Sequence, residues 1–337
     1  MTRTLHLLFL LLLVCAPLRA ENLAAQAARV FESAMASHRA IEHAAWLTDR
    51  IGPRMSGSAQ AAAAVEWSKG QLESYGLEVR LQPVTVPRWV RGKEEGRLVA
   101  PATQALHLTA LGGSVATPAE GVEADLVRVT SYDELAALGE TVKGKIVFYD
   151  AVMDRELVEQ GEAFRAYSQA VRFRSTGAIE ASKLGAVASL IRSVASHSLR
   201  TPHTGSMRYE EGVPRIPGAA LSTEDADLIR RLIAAGESVR MHLVLTPRRL
   251  PEVESANVIA EIRGSVFPEE IVVIGGHIDS WDLGTGAIDN ASGVAMTMET
   301  MRVIAELGLE PKRTIRAVLF MNEEFGLSGA RAYAAEY

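Results

Sequence analysis

Apolar and polar positions follow different periods along the chain, and each period predicts a different element. Ile271 to Ile274 is an unbroken apolar, β-branched run, the pattern of a strand buried on both faces in a parallel sheet. Gly275-Gly276 ends it, and a polar, glycine-rich loop follows with His277, Asp279, Asp282 and Asp289. From about Asn290 to Leu307, Val294, Met298, Met301 and Ile304 or Ala305 recur at three- and four-residue spacing. This predicts an amphipathic helix, ended by Gly308 and Pro311. Thr314 to Met321 predicts a second buried strand with Glu323 and Glu324 at its end.

Upstream, the alanine-rich tracts Leu23 to Ala36 and Ser58 to Leu72 read as helices, and Gly52-Pro53 separates Ala40 to Ile51 from the next one. Leu77 to Val86 alternates and predicts a half-exposed edge strand. Between Trp89 and Pro251 the pattern changes. Short strands (Ala124 to Val129, Lys145 to Tyr149, Ala186 to Ile191, Val239 to Leu245) alternate with helices, two of them capped by Ser131 and Ser222. The domain boundaries that follow are 1–20, 21–90, 91–250 and 251–337.

A strand-helix-strand crossover leaves its two strands parallel, so the loops after them open on the same edge of the sheet. Ligands of such sheets bind at that edge. His277, Asp289, Glu323 and Glu324 are therefore expected at one site. One imidazole with three carboxylates and no thiolate suits zinc or manganese. Two ions sharing a carboxylate at roughly 3.5–4 Å would activate water, and one of the adjacent glutamates can then serve as general base. Gly284-Thr-Gly286 starts like a dinucleotide fingerprint, but it lacks the third glycine and sits beside acids that repel a pyrophosphate.

The segment from Gly275 to Asn290 (Gly-Gly-His-Ile-Asp-Ser-Trp-Asp-Leu-Gly-Thr-Gly-Ala-Ile-Asp-Asn), followed by Pro311 to Glu324, resembles the co-catalytic zinc exopeptidases. That family includes bacterial leucyl aminopeptidases and glutamate carboxypeptidases. Ser280-Trp281-Asp282 and the twelve-position step from His277 to Asp289 are similar to its carboxypeptidase Q branch, as are Ser189 to Ser196 and Pro202-His-Thr-Gly205. Asn290-Ala-Ser-Gly293 departs from that branch, which has a second acid and a glycine run there.

The resemblance implies an α/β fold: a mixed, largely parallel sheet flanked by helices, with an inserted protease-associated domain over residues 91–250. It implies two zinc ions, with His277 on one, Asp289 bridging both and Glu324 on the second. Glu323 is implied as general base, and Asp279 as the carboxylate that orients the imidazole of His277. The family takes one further aspartate and one further histidine from residues beyond Glu324, so the 337 residues are expected to lack the last strands of the sheet and to bind metal weakly. Ile51 to Ser58 resembles the family's N-terminal turn and reads equally well as a helix-breaking loop. His197, His203, Arg165, Arg172 and Arg174 read as a solvated face.

Composition narrows the partners. Met1 to Ala20 reads as a cleavable leader: Arg3 is followed by an apolar run, Leu5 to Ala16, too short to span a bilayer of roughly 30 Å. Secretion or export to a periplasm is expected, without stable membrane insertion. Cys15, the only cysteine, leaves with the leader, so no disulfide is needed. Removal also takes Arg3 and Arg19 and no acid, so the net charge of -6 becomes -8, which argues against a nucleic-acid partner. A peptide substrate is expected, and relatives of this kind are often homodimers. An aminopeptidase acting on longer peptides, a receptor-like relative without activity and a one-zinc aminoacyl cyclase are the alternatives.

Overall fold

A computed structural model describes residues 23–196 and 199–337; the stretch read as a leader, Met1 to Ala20 with Cys15, and His197 lie outside them. In chain order the strands are β1 (Glu78–Val90), β2 (Glu94–Ala100), β3 (Gln104–Leu106), β4 (Leu108–Ala110), β5 (Val122–Val129), β6 (Ile146–Tyr149), β7 (Ala188–Arg192), β8 (Gly218–Leu221), β9 (Arg240–Leu245), β10 (Arg248–Ile262), β11 (Phe267–His277) and β12 (Arg313–Phe320). The helices are α1 (Leu23–Ala36), α2 (Arg39–Ala45), α3 (Ala59–Ser74), α4 (Tyr132–Leu138), α5 (Arg155–Glu159), α6 (Ala163–Lys183), α7 (Thr223–Ala234), α8 (Gly293–Glu306) and α9 (Ser328–Glu336). None of the described helices is long and apolar enough to cross a membrane.

The strands form two sheets. The first has the order β1-β10-β12-β11. Only its β11–β12 pairing is parallel; β10 runs antiparallel to both β1 and β12. The mixed α/β class holds, but this sheet is not largely parallel. The reason is that β1 and β10 are the outgoing and returning arms around everything between Val90 and Arg248, and such arms pair antiparallel. Ser58 caps α3 by accepting from the N–H of Ala61 at 3.0 Å. Val294, Met298 and Met301 of α8 pack with Leu47, Leu72, Val258 and Leu319 to form the core beneath the sheet.

The run Ile271 to Ile274 forms the strand β11, whose one partner among the described strands is β12. Ile271, Val272 and Val273 are 39 to 46 % exposed among the described residues. An apolar run reports propensity for strand, while burial depends on what lies on either side.

The second sheet has the order β3-β2-β9-β5-β6-β7-β8-β4, with β5 through β8 parallel. β6, β7 and β8 are buried along their whole length, as strands covered on both faces must be. Ile146 and Phe148 turn to a core shared with Ala226 and Ile229 of α7. Val147 and Tyr149 turn to the opposite one, shared with Leu135 of α4 and Phe173 of α6. Trp281 and Phe325, which belong to the loops at the end of the first sheet, pack against the core that contains Phe148. The two sheets therefore meet at those loops.

Candidate metal centre

The parallel register of β11 and β12 aligns His277 with Phe320, so the two following loops start side by side. His277 is the last residue of β11 and is nearly buried. Its Nε2 lies 2.8 Å from Asp289 Oδ1 and 3.9 Å from Glu323 Oε2. Its Nδ1 lies 3.0 Å from the main-chain oxygen of Asp279, closer than that residue's carboxylate at 3.6 Å. The fully buried Asp279 carboxylate instead accepts the main-chain N–H groups of Glu323 (3.1 Å) and Glu324 (3.3 Å). Asp279 thus joins the two loops, setting the acidic pair against the histidine.

Asn322 turns the chain out of β12 with a positive φ of 66°, a conformation asparagine tolerates better than most residues. Its side chain is fixed on both sides, accepting from Ser56 Oγ at 2.7 Å and donating to Ser328 Oγ at 2.8 Å. Gly329 packs so tightly that an added Cβ would lie 2.3 Å from Asn257 Oδ1. Glu323 and Glu324 therefore project from a braced turn.

One imidazole and two carboxylates, from His277, Asp289 and Glu324, offer ligand atoms all within 4.8 Å of one another. The donor set is nitrogen and oxygen only, which suits zinc. Charge points the same way. Burial opposes a proton on His277, but the nearby Asp279 carboxylate and the charges of Glu324 and Glu323 outweigh it and raise its pKa to about 9. Burial, then the charges of Asp289, Asp279 and Glu323, raise Glu324 to about 8 against the opposing pull of His277. The nitrogen and oxygen donors and the crowding of acids at His277 fit a metal ion.

Two arginines unmarked by the sequence reading hold this centre. Arg54, in the turn between α2 and α3, is fully buried. It donates to the carbonyls of Ile278 (2.7 Å), Thr285 (2.6 Å) and Gly286 (3.1 Å), and so supports the whole loop from beneath. The helix-breaking reading of Ile51 to Ser58 is therefore incomplete. Arg91 grips Asp282 with two bonds of 2.7 and 2.6 Å, reaches Thr204 Oγ1 at 3.2 Å, and lies over the ring of Trp89. Asp282 serves this link between sheets rather than the metal cluster. Trp281 beside it fills the space a side chain at Gly112 would need: a Cβ there would lie 2.0 Å from the indole. His203 and Thr204 of the second-sheet unit come to a cavity that Asp289 and Glu324 also line.

Comparison with known proteins gives a consistent set. Residues 257–337 match the model of peptidase family M28. The chain is similar to carboxypeptidase Q of Bos taurus, with 42 % identity over 299 residues, 88 % of this chain and 61 % of that protein. It thus spans about three-fifths of the length of this relative. It is also similar to the solved peptidase M28 precursor of Shewanella amazonensis SB2B, with 43 % identity and a TM-score of 0.88 over 93 % of this chain and 70 % of that one. A zinc aminopeptidase of Bacillus subtilis shares the fold, at 22 % identity and a TM-score of 0.64 over 89 % of this chain and 64 % of that one.

Proposed function

The chain belongs to peptidase family M28, and from that premise we propose that it is a zinc-dependent exopeptidase of the carboxypeptidase Q kind, cleaving dipeptides or short peptides with a free N-terminus. The observation that carries this reading is the meeting of His277, Asp289 and Glu324 with Glu323 beside them. His277, Asp289 and Glu324 would hold the metal, in the co-catalytic arrangement of two zinc ions that the family resemblance implies. Zinc held there supplies Lewis acidity to the scissile carbonyl and to an attacking water.

The chain's own groups do the rest. Glu323, open to solvent beside the cluster, takes the proton from the attacking water and returns it to the departing amine. Asp279 positions this base by holding its main-chain N–H. The second-sheet unit is read as a protease-associated domain, and its packing against the loops at Trp281 and Phe325 narrows the approach to the cluster, which favours short peptides. A leader at Met1 to Ala20 directs the protein to a secreted or periplasmic location, and a homodimer is the expected assembly.

The test is Glu323→Gln in the full-length protein. Bound zinc is expected to stay while hydrolysis of a dipeptide falls about 10²- to 10⁴-fold, the range for a general base. Turnover unchanged by the substitution would remove Glu323 from this role, and turnover unchanged after exhaustive chelation would remove zinc from it.

A further inference from the structure

The cavity of about 420 Å³ on one side of Glu324 has two walls of different origin. Asp289, Glu324, Trp281 and Leu283 come from the loops of the first sheet; Thr201 and His203 face them from the second-sheet unit. Residue 203 is held in place by its surroundings. Its main-chain N–H donates to Ser193 Oγ at 2.8 Å, and Ser193 in turn donates to the carbonyl of Leu221 at 2.6 Å inside the second core. The next residue, Thr204, is buried and tied through Arg91 to Asp282, five positions from His277. Gly205 lies against the Arg174 guanidinium so closely that a Cβ would be 2.3 Å from its carbon. The backbone is thus fixed relative to the metal loop.

The His203 imidazole itself, by contrast, makes no hydrogen bond among the described residues, and it is open to the cavity. Burial by the surrounding protein, then the charge of Arg174, lower its pKa, so it stands neutral at pH 7 with one N–H to give. A neutral imidazole near a guanidinium is suited to polarise an electron-rich oxygen in front of it.

We propose that His203 is a catalytic residue of the exopeptidase reaction, donating a hydrogen bond to the oxygen of the scissile carbonyl as that oxygen gains negative charge. This rests on the peptidase reading above and adds to it a group from the second sheet. The bond that breaks is unchanged, C–N of the peptide; His203 neither gains nor loses a proton, and only the strength of its hydrogen bond grows. A donor aimed at developing charge lowers the barrier without tightening the substrate complex, so it acts on kcat more than on KM.

The experiment compares wild type, His203→Ala, His203→Gln and Glu323→Gln in the full-length zinc-loaded protein. Expected for His203→Ala is a kcat loss of about 10²- to 10³-fold, the usual cost of one such donor, with KM and zinc content retained. His203→Gln, which keeps an N–H, is expected to recover part of the loss. Inhibition by a phosphinate dipeptide analogue, whose oxygens mimic the charged state, is expected to weaken in parallel with kcat/KM across the His203 series. An unchanged kcat in His203→Ala, or a loss of zinc matching the loss of rate, overturns the assignment. If Glu323→Gln abolishes turnover while His203→Ala does not, only the role of His203 fails; if neither affects turnover, the peptidase reading fails with it.

Discussion

Asp150 and Asp279 are both buried carboxylates placed just after a strand, one in each sheet, and they are satisfied in opposite ways. Asp150 accepts from Arg128 Nε and Arg192 Nε, each at 2.6 Å, and Arg192 continues to Asp227 at 2.6 Å. With Arg230 on Asp227 at 2.7 Å, three arginines and two aspartates close on themselves there. Asp279 accepts main-chain N–H groups and no guanidinium, and around it stand Asp289, Glu323 and Glu324 with a single imidazole. Arg54 lies near them but spends its hydrogen bonds on carbonyls. A cluster whose acids are all matched by guanidinium groups is an element of stability; one that gathers acids around a single imidazole is suited to receive a cation.

That contrast is open to mutation. The largest effect is expected for Asp150→Ala, which leaves the buried Arg192 with Asp227 as its one remaining carboxylate and takes from Arg128 its partner: a stability loss of roughly 3–5 kcal/mol by urea denaturation, with zinc stoichiometry of the folded fraction unaltered. Loss of zinc without loss of stability would erase the distinction between the clusters. Arg54→Met removes the donor to the carbonyls of Ile278, Thr285 and Gly286, each bond worth on the order of 1 kcal/mol, so a destabilisation of about 3 kcal/mol together with weaker zinc binding is expected. Asp279→Asn keeps the shape but cannot accept both N–H groups as before. Zinc affinity is expected to fall about 10- to 100-fold, measured by competition with a chelating dye, with little change in the denaturation midpoint.

The smallest effect is one of pH on the metal-free protein. His277, raised to about 9 from 6.5, contributes stability in full below about pH 6.5 and loses it as pH rises through 9. Glu324, raised to about 8 from 4.5, ionises first in the unfolded chain, so stability falls as pH rises between those values. Both act in one direction: the metal-free protein is expected to melt at progressively lower temperature from about pH 4.5 to 9. Zinc is expected to bind with proton release and to flatten that slope. A metal-free melting temperature that rises over this interval would contradict the crowding of acids at His277.

Much of this architecture is legible in local pattern. The three-and-four spacing of Val294, Met298 and Met301 predicts α8, whose three apolar positions are all buried. The strand ends after His277 and before Glu323 suffice to bring His277, Asp289 and the glutamate pair to one edge. What the sequence leaves dark is contact at long range. Arg54 reaches the loop across more than two hundred residues, and nothing in a Gly-Pro-Arg turn says that its guanidinium is buried. Arg91 and Asp282, 191 positions apart, are each unremarkable until the two sheets are set together.

The most direct test of the uncompensated acid cluster is anomalous diffraction at the zinc edge from crystals of the full-length protein grown with zinc. Strong anomalous density is expected within coordination distance, about 2.0–2.2 Å, of His277 Nε2 and the carboxylates of Asp289 and Glu324, and none at Asp150. An ordered, fully described His277–Asp289–Glu324 cluster without anomalous density, in a protein whose crystals hold zinc elsewhere, would contradict it.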